Sequence, residues 1–212
     1  MKKILLLFIS LLILSTGQVF AQRETTSFTA SGAAFDVKVV LDEEENPIIA
    51  YVNTSNNTLR LMHCQDVGCS QAPRSKTIDK GGTVFSIALD SEYRPIILYH
   101  VPGANNMQVL KLAACSTPDC EEFTLTEIAA SDWRITGAAA FNNNDDLSII
   151  YKDDKGDETY RLLNCQGVDC ENGETYDLYT DSTIMPSIDL KFSEDGFPRF
   201  VTDGDIGLAL VY

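Results

Sequence analysis

Histidine and tryptophan are nearly missing from this chain: it has His63, His100 and Trp133 and no others of either kind. Two histidines leave little room for a His-based metal site. No Ser–His–Asp order, H-E-x-x-H, P-loop or dinucleotide fingerprint is present either. Positive charge is also short, with 16 Lys and Arg against 31 Asp and Glu for a net charge of −15. That balance opposes binding to nucleic acid or anionic lipid and suits cations, neutral sugars or basic partners. Apolar residues at helical spacing are absent over any useful length, which excludes a helical bundle. Beyond the first twenty residues, no run is apolar enough to insert into a membrane.

The opening MKKILLLFISLLILSTGQVFAQ pairs Lys2 and Lys3 with an apolar core and the small residues a signal peptidase reads. Residues 1–21 are therefore expected to be a signal peptide, with a secreted or periplasmic chain beginning at Gln22. Its removal takes away two lysines and moves the net charge to about −17. In an oxidising compartment, the six cysteines are expected to form disulfides. Six cysteines allow fifteen connectivities. The thrice-repeated Cys-x₄-Cys favours the local set, Cys64–Cys69, Cys115–Cys120 and Cys165–Cys170. Zinc would usually call for Cys-x₂-Cys pairs.

The cysteines belong to a repeat. VVLDEEENPIIAY, IALDSEYRPIILY, AAFNNNDDLSIIY and LKFSEDGFPRFVT, starting at Val39, Ile87, Ala139 and Leu190, align without gaps at spacings of 48 to 52 residues. Each unit reads as short strands rich in β-branched residues, separated by Asp, Asn, Gly and Pro. Four antiparallel strands in about fifty residues make one blade of a β-propeller. The expected fold is all-β: a four-bladed β-propeller in one domain, residues 22–212, with blades at about 35–80, 84–130, 135–182 and 186–212. The fourth unit stops after its third strand, and residues 25–31 resemble a fourth strand lying before the first unit. The N-terminal strand is thus expected to complete the last blade and close the ring, removing its open edges. A monomer is favoured over an eight-bladed ring made by two chains.

The pattern L-D-x-x-G-x-P-x-x-x-Y followed by L-x-L-x-x-C-x₄-C is carried by Leu89, Asp90, Pro95, Tyr99, Leu110, Leu112, Cys115 and Cys120. It resembles a repeat of secreted bacterial β-propeller proteins loosely grouped as sialidase-like or BNR-repeat proteins. The resemblance covers nearly all of residues 22–212 and implies fold and export. The repeat glycine survives only as Gly196; Glu45, Tyr93 and Asp145 replace it. Sialidases carry Ser-x-Asp-x-Gly boxes, whereas residues 193–196 read SEDG in the wrong turn, so no activity is carried over.

In a propeller, the loops after the second and fourth strands share one face, where ligands bind around the channel. Trp133 and Arg134 fall in such a loop, and His100, Asp153 and Asp203 follow second strands. An aromatic platform beside Asn, Asp and Arg suits a glycan, though a wedge packed between blades is the favoured reading of Trp133. His100 alone is poor material for catalysis. Tyr51, Tyr99 and Tyr151 are expected in the core, and Arg60, Lys111 and Arg161 are expected to pair with acids on neighbouring strands. Residues 153–157 and Asn142, Asn144 and Asp146 place oxygens at alternate positions that Ca²⁺ could use, but without a full EF-type loop; turns without metal are favoured. No cofactor is expected beyond that. The favoured reading is an interaction module binding a glycan or protein ligand. The alternative is a glycan-active hydrolase or lyase using Asp153 and Asp203 as paired carboxylates.

Overall fold

The computed structural model describes residues 34–132, 134–153, 159–180, 187–202 and 208–210. The described residues form antiparallel sheets, with no α-helix among them. The first sheet is β1 (Ala34–Leu41), β2 (Pro47–Asn53), β3 (Thr58–His63) and β4 (Arg74–Lys80), in sequential order. The second is β5 (Thr83–Leu89), β6 (Pro95–Pro102), β7 (Gln108–Cys115) and β8 (Phe123–Ser131). The third is β9 (Ile135–Phe141), β10 (Leu147–Asp153), β11 (Thr159–Cys165) and β12 (Gly173–Thr180). In the fourth, β13 (Ile188–Phe192), β14 (Pro198–Thr202) and β15 (Leu208–Leu210) are described. Residues 1–33, including the expected signal peptide and closing strand, lie outside the described set.

The repeated residues act locally. Asp42 Oδ1 accepts the backbone N–H groups of Glu44 and Asn46 at 3.0 and 2.7 Å. Asp90 does the same for Glu92 and Arg94, and Asn142 for Asn144 and Asp146. Each is a side-chain-capped turn, which explains the acid or amide ending the first strand of the first three units. In the fourth, the Ser193 hydroxyl donates to the Phe197 carbonyl and Asp195 accepts the Phe197 N–H. The repeat's glycine position takes positive φ in all four turns: 64° at Glu45, 58° at Tyr93, 62° at Asp145 and 82° at Gly196. Glycine occupies that conformation most cheaply, so three of the turns carry backbone strain the fourth avoids. The Asn142 turn uses its oxygens to bond its own backbone; no metal is needed to shape it.

All three disulfides are local: Cys64–Cys69, Cys115–Cys120 and Cys165–Cys170, with Cα atoms 4.9, 4.8 and 4.7 Å apart. Each closes the hairpin between the third and fourth strands. The Cys115→Ala, Cys120→Ala double variant is expected to fold with a loss of about 2 kcal/mol, measured by urea unfolding, because the closed loop is short. A loss of cooperative unfolding would contradict this local role.

Successive sheets pack by their first strands, β1 against β5, β5 against β9 and β9 against β13. Because side chains alternate across each strand, each of the first three sheets offers one apolar face forward and another back. Ile48, Ala50, Val52, Leu59 and Leu61 of the first sheet meet Ile97, Tyr99, Val101 and Ala113 of the second. Ile96, Leu98, Leu110 and Leu112 of the second meet Ile135, Ala139, Ile149 and Tyr151 of the third. Ile150, Tyr160 and Leu162 of the third meet Leu190 and Phe200. Tyr51, Tyr99 and Tyr151 are buried core residues, as expected.

The backward face of β1 is different. Val37, Val39 and Leu41 are 52–58% exposed, whereas Ile135 and Ala139 on the same face of the third sheet are 2% and 6% exposed. On the last sheet, the forward face exposes Asp189, Lys191, Arg199 and Val201.

Candidate functional site

One end of every sheet is marked by the pairs Ala34 with Asn53, Thr83 with His100, Ile135 with Asp153 and Ile188 with Thr202. The loops after the second and fourth strands leave from this end. His100, Arg134 and Asp153 are therefore brought to one end of neighbouring sheets, and β9, which Arg134 precedes, packs against both β5 and β6. Arg134 is exposed. Trp133 and Asp203 lie outside the described residues, as does the stretch 154–158 considered for calcium.

The His100 ring stacks on Phe85, with centroids 5.4 Å apart and planes 26° from parallel. Burial pushes its pKa below the ordinary 6.5, opposed by the charge of Asp36, so the ring is neutral near pH 7. Its Nδ1 is shielded from solvent and has no hydrogen-bond partner, and the same holds for Asp36 Oδ2. Asp36 sits at φ 47° within a bulge of β1, and β5 carries a bulge at Phe85. Bulges re-aim side chains, and strained backbone is held where the surroundings require it. Asp36 has no motif around it, so nothing in the sequence singles it out.

The repeat position occupied by His100 holds Val52 in the first sheet and Lys152 in the third. Lys152 is 1% exposed, and its ammonium lies 5.4 Å from the Tyr160 ring centroid. Tyr160 and Thr202 share a hydroxyl hydrogen bond of 3.0 Å. Lining up position 100 across the repeat would have revealed Lys152 as an ionisable residue at a framework site.

Between the first two sheets, Asp79 accepts from the Tyr99 hydroxyl at 2.9 Å and the Lys111 ammonium at 3.2 Å, and from its neighbour's backbone N–H at 2.7 Å. Burial raises the Asp79 pKa, but these hydrogen bonds outweigh it and hold the carboxyl below its usual value. Burial and the bond to Asp79 push the Tyr99 phenol up. The expected pairing with an acid on a neighbouring strand holds for Arg161 with Asp177, whereas Lys111 pairs instead with Asp79 of the adjacent sheet. It fails for Arg60, whose Nε is buried without a partner. Thr77 stands opposite Arg60 where Glu127 and Asp177 stand opposite Lys111 and Arg161.

His63 lies at the opposite end of the sheets. Its Nε2 is 2.8 Å from Asp42 and its Nδ1 is 2.8 Å from Asp119, which also contacts Arg74. A histidine beside carboxylates resembles a catalytic pair. Here both ring nitrogens face protein carboxylates and the side chain is 11% exposed, leaving no nitrogen open to a ligand. It clamps the first sheet to the hairpin of the second.

Among the described residues, no group of three or more His, Cys, Asp or Glu could hold a metal, and no helix is long and apolar enough to cross a membrane. Comparison with known protein families and with curated proteins finds no match to this chain.

Proposed function

We propose that the chain is an exported four-bladed β-propeller that binds a glycan or protein ligand on the face where His100, Arg134 and Asp153 emerge. The observation that carries the reading is the pair of buried polar atoms without partners at that end, His100 Nδ1 and Asp36 Oδ2. A shielded polar atom left unbonded costs about 1–3 kcal/mol, a cost that an incoming hydroxyl or ammonium would relieve. Export is supported by the signal-like opening and by all six cysteines being paired. Kinship with secreted bacterial sialidase-like repeat proteins rests on the repeat pattern.

His100→Ala and Arg134→Ala are each expected to weaken binding of a ligand found on a glycan array by about tenfold while leaving the melting temperature nearly unchanged. Calorimetry on both variants is the check, and undiminished affinity in both sinks the assignment of this face.

Support for the ring comes from three sheets of one strand order packed in succession by their first strands, and from the exposed apolar stripe on β1 that a closing sheet would cover. The face available to cover it carries Asp189, Lys191 and Arg199, making this the most polar of the four contacts and the first to open. Deleting residues 22–31 is expected to destabilise the whole ring, because the fourth sheet would lose its outer strand and expose its edge. A truncated chain that melts with the full-length one removes the basis for closure. A solution mass of two chains would shift the reading to the eight-bladed ring.

A further inference from the structure

A cleft of about 420 Å³ lies between the first and second sheets, lined by Asn57, Asp79, Lys80, Lys111 and Glu127, with Val101 and Val109 among its apolar residues. It is not the His100 face. Neighbouring residues of a strand point to opposite sides of the sheet, so Val101 turns into this cleft and the first-sheet contact while His100 faces away.

Two features make it a formed site. Asp79 is fixed from three directions by its neighbour's backbone N–H, Tyr99 and Lys111, so one wall is set before anything binds. Gly81 and Gly103 let the wall residues approach closely: a Cβ on Gly81 would lie 2.4 Å from the Asn57 carboxamide oxygen, and one on Gly103 would lie 2.8 Å from a Val109 methyl. Asp79 is not available as a strong new acceptor, since both its oxygens are already bonded. Glu127 and Lys80 are exposed at the lining and supply the free acceptor and donor.

We propose that this cleft binds an uncharged, hydroxyl-rich ligand the size of a disaccharide. Two carboxylates and two ammonium groups line it, so a phosphate or sulfate would meet the acids and a polyamine would meet the lysines. A hydroxyl both donates and accepts, and can bridge Glu127 and Lys80 without placing net charge in a balanced site. The volume falls in the range of small-molecule sites. Val101 and Val109 offer an apolar wall for the C–H face of a sugar ring, and no aromatic side chain lines the cleft, so affinity rests on hydrogen bonds.

The test is amide NMR titration of the exported chain with maltose, cellobiose, lactose and N,N′-diacetylchitobiose, with spermidine and sulfate as charged probes. The expected result is saturable shifts at Asn57, Gly81, Gly103 and Glu127 with at least one disaccharide. Gly103→Val, which crowds Val109 at the cleft wall, and Glu127→Ala should each weaken that binding by about tenfold, while Glu171→Ala, at an exposed position on the hairpin of the third sheet, leaves it unchanged. Gly103→Val keeps an extended backbone, so its fold is checked by the unaltered spectrum of β9 to β12. The proposal is overturned if none of the four sugars shifts these amides or if spermidine or sulfate shifts them as strongly. It is also overturned if the shifts gather at His100 and Arg134, an outcome that would favour the channel face.

Discussion

Replacing His63 with alanine is expected to cost roughly 3 kcal/mol, because it removes two hydrogen-bonding contacts to carboxylates, each worth about 1.5–3 kcal/mol before the partners readjust. Asp42 and Asp119, 7% and 17% exposed at their side chains, would lose the donor between them. Asp119 keeps Arg74, and Asp42 keeps the Asn46 amide and two backbone N–H groups. The larger loss is therefore the link between the sheets, since His63 belongs to the first and Asp119 to the hairpin of the second. Urea unfolding of His63→Ala against the parent chain measures it; a change below about 1 kcal/mol would mean the clamp contributes no more than an exposed ion pair.

The cluster also sets an acid limit. Burial raises the Asp42 pKa, but the His63 and Asn46 hydrogen bonds outweigh it and hold the carboxyl below its ordinary 3.8. The folded protein then takes up this proton less readily than the unfolded chain. Its contribution is complete above pH 3.8 and is lost as pH falls through the lower, folded value. Asp79 acts in the same direction. Stability is expected to fall below about pH 4, and less steeply in His63→Ala, whose Asp42 is closer to its unfolded value.

Gly82→Ala is expected to cost roughly 3 kcal/mol, the upper end for overpacking. The added methyl would lie 1.6 Å from the carbonyl oxygen of His100. That oxygen belongs to backbone, so relief requires moving β6 away from β5 at the pairing of Thr83 with His100. The same shift would displace the His100 ring from Phe85 and weaken the ligand binding proposed for that face. Thermal melting reads the first effect and calorimetry the second; a variant as stable as the parent would show that the strands do not approach this closely in solution.

Local chemistry is legible in the chain itself. Cysteines five positions apart join within one hairpin, an acid or amide at the end of the first strand in three units caps its own turn, and alternating apolar residues make strands. Each of these interactions closes over a few residues, so the residue type and spacing determine it whatever the rest of the molecule does. Tertiary structure alone decided which distant groups meet. His63 finds Asp119 across 56 positions, Lys111 finds Asp79 across 32, and Tyr99 reaches the same carboxylate across 20. Those meetings depend on how one sheet is rotated onto the next, which a fifty-residue repeat leaves open. His63 looks no different from His100 in the sequence. The packing of the first two sheets enclosed one between two acids, while the other, on the opposite face of the second sheet, is neutral, stacked on Phe85 and short of a partner.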